Sequence, residues 1–154
     1  MKKVAFLLFV MASSYNSCMV AQSKEPAETD FLKKVLSEKI YFADKQVNID
    51  ALAWNPHASF KGVYLKHLIT GQDTGSKLSC HIVKVEPNCI LDTHMHDGKI
   101  EIHEVISGSG VMYLDGKEFS YSVGQMCVIP ANTLHKVVAG KDGLYLFAKF
   151  TPAL

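Results

Sequence analysis

From Val47 onward, the hydrophobic residues fall in short runs separated by turn residues, a pattern typical of β-strands. Asp115-Gly116 and Asp142-Gly143 are favoured hairpin-turn dipeptides between such runs. No helical periodicity interrupts the runs, so the pattern favours an antiparallel sandwich or barrel. The predicted strands cover residues 58–69, 77–85, 91–96, 101–107, 111–114, 117–121, 126–129, 135–139 and 145–150.

One helical pattern precedes this region. Thr29 or Asp30 could cap a short helix that runs to about Phe42. We expect a helix of this kind to pack against a sheet edge or a partner chain. Its apolar stripe would consist of Phe31, Val35, Leu36 and Ile40.

The first residues have the order of an export signal. Lys2 and Lys3 precede an apolar run over residues 4–12, which is too short to span a bilayer. Cleavage after Ala21 would make residues 1–21 a signal peptide and the protein periplasmic. The alternative is a lipoprotein anchored through Cys18. Residues 22–46 would then form a linker and the short helix, and residues 47–154 a single barrel.

Composition narrows the possible functions. All 16 basic residues are lysines, and the formal net charge is +1. No basic stripe exists, so we do not expect nucleic-acid binding. The chain has no arginine to grip anions with two hydrogen bonds, although a lysine could still bind one as a point charge. A thiolate zinc site is not expected either, because no CxxC pair occurs.

A group of metal-ligand side chains is the strongest chemical signal. His94 and His96 are two apart on a predicted strand, so their side chains share a face. Asp97-Gly98 is a favoured turn, and a two-residue hairpin there would pair His94 with Glu101. The sequence therefore predicts that three ligands converge from one hairpin. Imidazole and carboxylate suit Zn, Fe, Mn, Ni or Cu.

The order of these residues resembles the two motifs of the cupin superfamily. The first motif is HxH followed by Glu and Gly, and the second contains Gly, Pro and His. The resemblance covers roughly residues 77–150, and Asn132 and Ala139 depart from the usual pattern. The matching residues are His94, His96, Glu101 and Gly108, then Gly124, Pro130 and His135.

This resemblance implies an all-β fold, the double-stranded β-helix or jelly-roll barrel, with one divalent metal ion in its mouth. It adds His135 as the fourth ligand beside His94, His96 and Glu101. Three imidazoles and one carboxylate would leave coordination positions open, as in catalytic metal sites. The family likeness also implies a homodimer, because such barrels often pair through sheet edges.

Three further residues are candidates for roles beside the ligands. Glu104 is the rival carboxylate, but its parity along the strand directs it out of the barrel. His103 shares the parity of Glu101 and should point inward, as a hydrogen-bond partner, a general acid or base, or a satisfied interior histidine. Tyr113 is a candidate for a substrate-pocket wall or for simple packing.

Three hypotheses of function follow. The first is an exported metal-dependent enzyme of dioxygenase, isomerase or lyase type that acts on a small oxygen-rich molecule. The second is a non-catalytic, metal-dependent module that binds a sugar or other small ligand. The third is a structural barrel without metal. The sequence does not identify the metal or the substrate.

Overall fold

The computed structural model describes residues 29–154. The predicted signal peptide, the alternative anchor at Cys18 and the linker up to residue 28 lie outside the described residues. In chain order the elements are α1 (Asp30–Leu36), β1 (Lys39–Tyr41), β2 (Gln46–Asn48), β3 (Asn55–Pro56), β4 (Val63–Ile69), α2 (Gly71–Thr74), β5 (Ser79–Val85), β6 (Ile90–His94), β7 (Ile100–Leu114), β8 (Lys117–Ser122), β9 (Met126–Ile129) and β10 (His135–Thr151).

Two long strands divide the barrel into two facing sheets. The later part of β7 and the beginning of β10 pair with each other and with β8 and β6, which gives the order β6-β10-β7-β8. The earlier part of β7 and the end of β10 belong to the other sheet, in the order β3-β4-β5-β10-β7-β9. This antiparallel arrangement is the predicted jelly-roll barrel.

The two long strands also correct the predicted strand boundaries. Residues 101–107 and 111–114 were expected as separate strands but belong to β7, and residues 135–139 and 145–150 both belong to β10. Asp142-Gly143 therefore lies within β10 and is not a hairpin turn. The register shifts between Ala139 and Leu144, where the strand passes from one sheet to the other.

The glycine at this corner explains why the strands can bend here. Gly108 has φ +76°, and a Cβ atom there would lie 2.1 Å from the carbonyl oxygen of Gly143.

By contrast, the predicted turn at Asp115-Gly116 is confirmed. Both residues have positive φ, 49° and 74°, and β7 and β8 pair directly on either side of them.

The helix is shorter than predicted. Thr29 caps it, because its side chain accepts a hydrogen bond from the Leu32 amide, but α1 ends at Leu36 instead of Phe42. The following residues form a hairpin in which Ile40 lies opposite Val47. The β-branched and aromatic residues of this segment favour a strand, and cross-strand pairing overrides the helical spacing.

Two hydrophobic cores lie on opposite faces of the larger sheet. Because side chains alternate along a strand, Val83 faces the barrel interior while Ile82 faces the outside. Leu32 of α1 packs on that outer side, so the helix covers a sheet face, whereas the sequence predicted a sheet edge or a partner chain. Phe31, assigned to the apolar stripe, is 57% exposed.

Hydrogen bonds hold the start of α1 on the barrel. The Thr29 hydroxyl donates to the Ile106 carbonyl at 3.0 Å, and the Thr29 amide donates to the Ser107 hydroxyl at 3.1 Å.

Within residues 29–154, none of the helices has the length and apolar character needed to cross a membrane.

Candidate metal centre

The four predicted ligands come from three strands and one turn. His94 ends β6 and lies directly opposite His135, the first residue of β10. Glu101 is the second residue of β7, and His96 lies in the turn that leads to it. Each residue offers one ligand atom, and these four atoms all lie within 4.8 Å of one another.

The route by which they converge differs from the prediction. The chain does turn at residues 97–98, where Gly98 has φ +63°. However, within the described residues β6 pairs with β10 and not with β7, so the predicted His94–Glu101 hairpin register is wrong. Glu101 instead lies opposite Ile129 of β9 and Phe150 of β10. The ligands therefore meet across the barrel interior, from facing sheets.

Backbone carbonyls orient two of the imidazole rings. The Nδ1 atom of His94 is 2.7 Å from the Asp92 carbonyl oxygen, and that of His135 is 2.9 Å from the Thr133 carbonyl oxygen. A carbonyl oxygen only accepts hydrogen bonds, so each Nδ1 must carry the proton. In the neutral ring the lone pair is then on Nε2, as a metal ligand requires.

Glu101 lies at the centre of the cluster and is only 3% exposed. Its Oε2 atom is 3.1 Å from Nε2 of His135 and 3.4 Å from Nε2 of His96. Its Oε1 atom accepts a hydrogen bond from Nε2 of His103 at 2.6 Å. The two carboxylate oxygens therefore have different neighbours.

The electrostatic environment keeps this carboxylate charged. Burial opposes ionisation of Glu101, but the charge and hydrogen bond of His103 and the contacts from His135 and His96 lower its pKa well below the usual range. Burial lowers the pKa of His94 to about 4. For His135, burial is outweighed by Glu101 and the Thr133 carbonyl, so its pKa is raised.

Two atoms in the cluster lack hydrogen bonds. Oε2 of Glu101 and Nε2 of His135 are buried, and neither has a hydrogen-bond partner within residues 29–154. They are 3.1 Å apart, but the geometry between them is not that of a hydrogen bond. An unsatisfied carboxylate oxygen and imidazole nitrogen are expensive to bury unless a cation lies between them. The donor set therefore fits a divalent metal ion.

The other predicted site residues have different positions. His103 is fully buried and bonded to Glu101. Glu104 lies on the outer face, where its carboxylate is 3.2 Å from the Lys149 ammonium group. Tyr113 is directly opposite Lys136, whose Nζ lies 4.7 Å from the centre of the tyrosine ring. Since Lys136 follows His135, alternation places Tyr113 and the His135 ring on opposite faces.

The structure adds neighbours that the sequence did not reveal. The Phe60 ring centre lies 5.5 Å from that of His94, and the Phe150 ring centre 5.0 Å from that of His96. The Tyr121 hydroxyl reaches Nδ1 of His103 at 3.4 Å. None of these three residues is near its partner in the chain, so only the tertiary structure reveals the contacts.

The comparisons with known proteins agree with this fold. Residues 81–146 match a family model described as "Cupin domain". Residues 81–146 therefore have the sequence pattern of a cupin domain, which confirms the resemblance noted in the sequence.

Three similar proteins illustrate the range within this fold. The oxalate-binding protein of Thermotoga maritima is 25% identical over 76 residues, covering 49% of this chain and 63% of that protein. The chain thus matches less than two thirds of that relative's length. An RmlC-like cupin from Shewanella frigidimarina is 18% identical, with a TM-score of 0.60 over 76% of this chain and 93% of that one. The polyketide cyclase RemF from Streptomyces resistomycificus is 23% identical, with a TM-score of 0.61 over 70% and 78%. The two solved structures show the shared fold alone.

Proposed function

We propose that this protein is a metal-dependent enzyme that acts on a small, oxygen-rich organic molecule. The observation that carries the proposal is the cluster of His94, His96, Glu101 and His135, whose ligand atoms lie within 4.8 Å of one another. Buried, unsatisfied donor atoms at its centre support a bound divalent cation, which could be Fe, Mn, Ni, Cu or Zn.

A cation in this place would supply Lewis-acid chemistry, and a redox-active one could also support dioxygenase chemistry beside isomerase or lyase reactions. The chain's own residues define how a substrate would approach. Glu101 and His135 are buried, whereas His94 and His96 are only partly covered. The substrate would therefore reach the cluster from the side of these two histidines.

The role of His103 as a general acid or base stays a prediction. Its Nε2 atom is engaged by Glu101, and its ring has no exposure to solvent. These contacts favour another of its predicted roles, a hydrogen-bond partner that holds a ligand carboxylate. Tyr113 as a pocket residue also stays a prediction.

A second candidate function is non-catalytic binding of a small ligand through the metal. A specific observation favours it: the curated relative from Thermotoga maritima is named an oxalate-binding protein. A divalent cation held by three neutral imidazoles and one carboxylate keeps a net positive charge. A chelating dianion of this kind would offset that charge.

The experiment that tests the proposed function begins with the metal content of purified protein, measured by mass spectrometry. We expect about one divalent ion per chain, and a large loss of it in His94→Ala and His135→Ala. Fe-, Mn- and Zn-loaded proteins are then assayed on a panel of diols, hydroxy acids, sugars and oxalate. Turnover that depends on the ligands identifies an enzyme, and binding without turnover identifies the second candidate. Metal binding unaffected by both substitutions would refute the site.

Export and pairing are separate parts of the proposal. The Lys2-Lys3 start and the apolar run after it support a periplasmic protein, with lipid attachment at Cys18 as the alternative. Mass spectrometry of the mature N-terminus separates a chain that begins at Gln22 from one acylated at Cys18. Light scattering after gel filtration tests the proposed homodimer.

A further inference from the structure

Tyr121 lies behind the candidate metal centre, on the side away from the ligand atoms. It belongs to β8 and lies opposite Gly110 of β7. The tyrosine is only 3% exposed. Its hydroxyl is 3.4 Å from Nδ1 of His103, whose other nitrogen contacts Glu101 at 2.6 Å.

The chemistry of the groups gives this chain of contacts a direction. An ionised carboxylate only accepts hydrogen bonds, so Nε2 of His103 donates to Oε1 of Glu101. When the imidazole is neutral, its other nitrogen, Nδ1, is an acceptor, and the Tyr121 hydroxyl can donate to it. The chain of contacts then runs from phenol to imidazole to carboxylate.

The end of this chain determines which carboxylate oxygen faces the histidine ligands. Oε1 is occupied by His103, whereas Oε2 lies near Nε2 of His96 and His135. If the ring of His103 rotated, Glu101 would lose the contact that keeps its two oxygens in these different environments. A hydrogen bond on the far nitrogen opposes that rotation.

We propose that Tyr121 is a positioning residue for the metal centre, and that it acts through His103 to keep Oε2 of Glu101 directed at the cation. The proposal rests on the proposed function, because it assumes that the four-ligand cluster binds a metal. It adds a residue from outside both sequence motifs.

The surroundings of Tyr121 support a role for its hydroxyl and not only for its ring. Burial and the nearby Cys127 thiol raise the pKa of the phenol, so the hydroxyl keeps its proton at neutral pH. Cys127 itself lies on β9 directly opposite His103. Phenylalanine in place of Tyr121 would fill the same apolar space and remove only the hydroxyl.

The test compares metal affinity in Tyr121→Phe and in the parent protein, with Mn²⁺ and Zn²⁺ as probes and calorimetry as the measurement. We expect about tenfold weaker binding, the lower end of the effect of removing a partner of a metal ligand. Tyr145→Phe is the matched control, since it removes another buried phenol on the outer face of the sheet. It should bind both ions as the parent does.

A double-mutant cycle shows whether Tyr121 acts through His103. His103→Leu should weaken metal binding, and Tyr121→Phe should then cause no further loss. His103→Gln, whose amide can donate to Glu101 and accept from Tyr121, should restore most of the affinity lost in His103→Leu. A general packing defect would not be relieved in this way.

The outcomes separate the inference from the function on which it rests. If the parent binds neither ion, the metal site itself is wrong, and the role of Tyr121 is wrong with it. If the parent binds metal and Tyr121→Phe binds it equally well, only the inference is overturned. Equal losses from Tyr121→Phe in the parent and in His103→Leu also overturn it, because the hydroxyl would then act independently of the imidazole.

Discussion

The two oxygens of Glu101 show how much single atoms matter in this barrel. One accepts a hydrogen bond from His103, and the other lies beside His96 and His135 without a hydrogen bond of its own. The same residue type at Glu104, three positions further on, forms a half-exposed ion pair with Lys149. Because Glu101 and Glu104 are an odd number of residues apart on one strand, alternation directs their side chains to opposite faces. The same rule made Glu101, and not Glu104, the predicted ligand.

Glu101→Gln should weaken the binding of divalent metal by roughly 100-fold or more, because the substitution removes the one carboxylate among the four candidate ligands while keeping the shape of the side chain. Glu104→Gln is the control on the same strand and should bind metal as the parent does. Titration calorimetry with Mn²⁺ or Zn²⁺ measures both. Equal affinities in the two variants would mean that Glu101 is not a ligand.

His81, which is not one of the four candidate ligands, predicts a pH dependence of stability. Burial, followed by the charge of His67, lowers the pKa of His81 to about 4 in the folded protein, against about 6.5 in an unfolded chain. The unfolded state thus binds the proton more readily. The stabilising contribution is complete above pH 6.5 and is lost as the pH falls towards 4.

The measurement is denaturant unfolding of metal-free protein at pH 7 and pH 4.5. His81→Gln should lessen the acid-induced loss of unfolding free energy by about 1–2 kcal/mol, a figure reduced for partial solvation of the ring. His94 also has a low pKa, but its contribution to the acid-induced loss is the same in the variant and in the parent. The comparison therefore reports on His81 alone. The same loss in variant and parent would show that His81 does not titrate in this range.

At the scale of elements, the long strands β7 and β10 account for most of the difference between prediction and structure. Local turn signals identified the sharp hairpin at Asp115-Gly116, but Asp142-Gly143 has the same chemistry and lies within a strand. A dipeptide can only favour a turn. Whether the strand stops there depends on its neighbours, and β10 has partners on both sides along its length.

Gly108→Ala should be much more destabilising than Gly124→Ala. Both glycines have positive φ, 76° and 88°, so both variants carry the backbone cost of about 1 kcal/mol. The two glycines differ in the space around them. At Gly108 the added Cβ atom would lie 2.1 Å from the Gly143 carbonyl oxygen, whereas at Gly124 nothing lies within 4 Å of it. We expect a total loss of roughly 3 kcal/mol or more for Gly108→Ala.

Thermal or denaturant unfolding of the two variants tests this expectation, and Gly124→Ala serves as the control because nothing lies within 4 Å of its added Cβ. Similar losses in the two proteins would mean that the corner between the sheets relaxes easily. In that case backbone conformation alone would explain the need for glycine.

At the scale of the whole molecule, the proposed metal would link the two sheets. His94 and His135 belong to the sheet that contains β6, whereas Glu101 belongs to the other sheet. A ligand that binds only the folded state stabilises it by mass action. A cation held by both sheets should therefore oppose their separation.

Saturating Mn²⁺ or Zn²⁺ should raise the thermal unfolding midpoint of the parent protein by on the order of 10 °C when the ion is about a thousandfold above its dissociation constant. The shift should be small in His94→Ala and His135→Ala, and a chelator should reverse it. Scanning calorimetry gives the midpoints. A comparable shift in the two variants would locate the stabilising ion elsewhere.

The sequence by itself determined what depends on near neighbours and on the order of residue types. It predicted an antiparallel sandwich or barrel, a helix cap at Thr29 or Asp30, the hairpin at Asp115-Gly116 and the candidate ligands His94, His96 and Glu101, because turn preferences and strand alternation act over a few residues. The fourth candidate ligand, His135, came from the resemblance to the cupin motifs. Only the tertiary structure decided that His94 pairs with His135, that the helix ends at Leu36, and that Tyr121 reaches His103. These contacts join residues on different elements or depend on pairing between strands, and closure of the two sheets into a barrel is what brings them together.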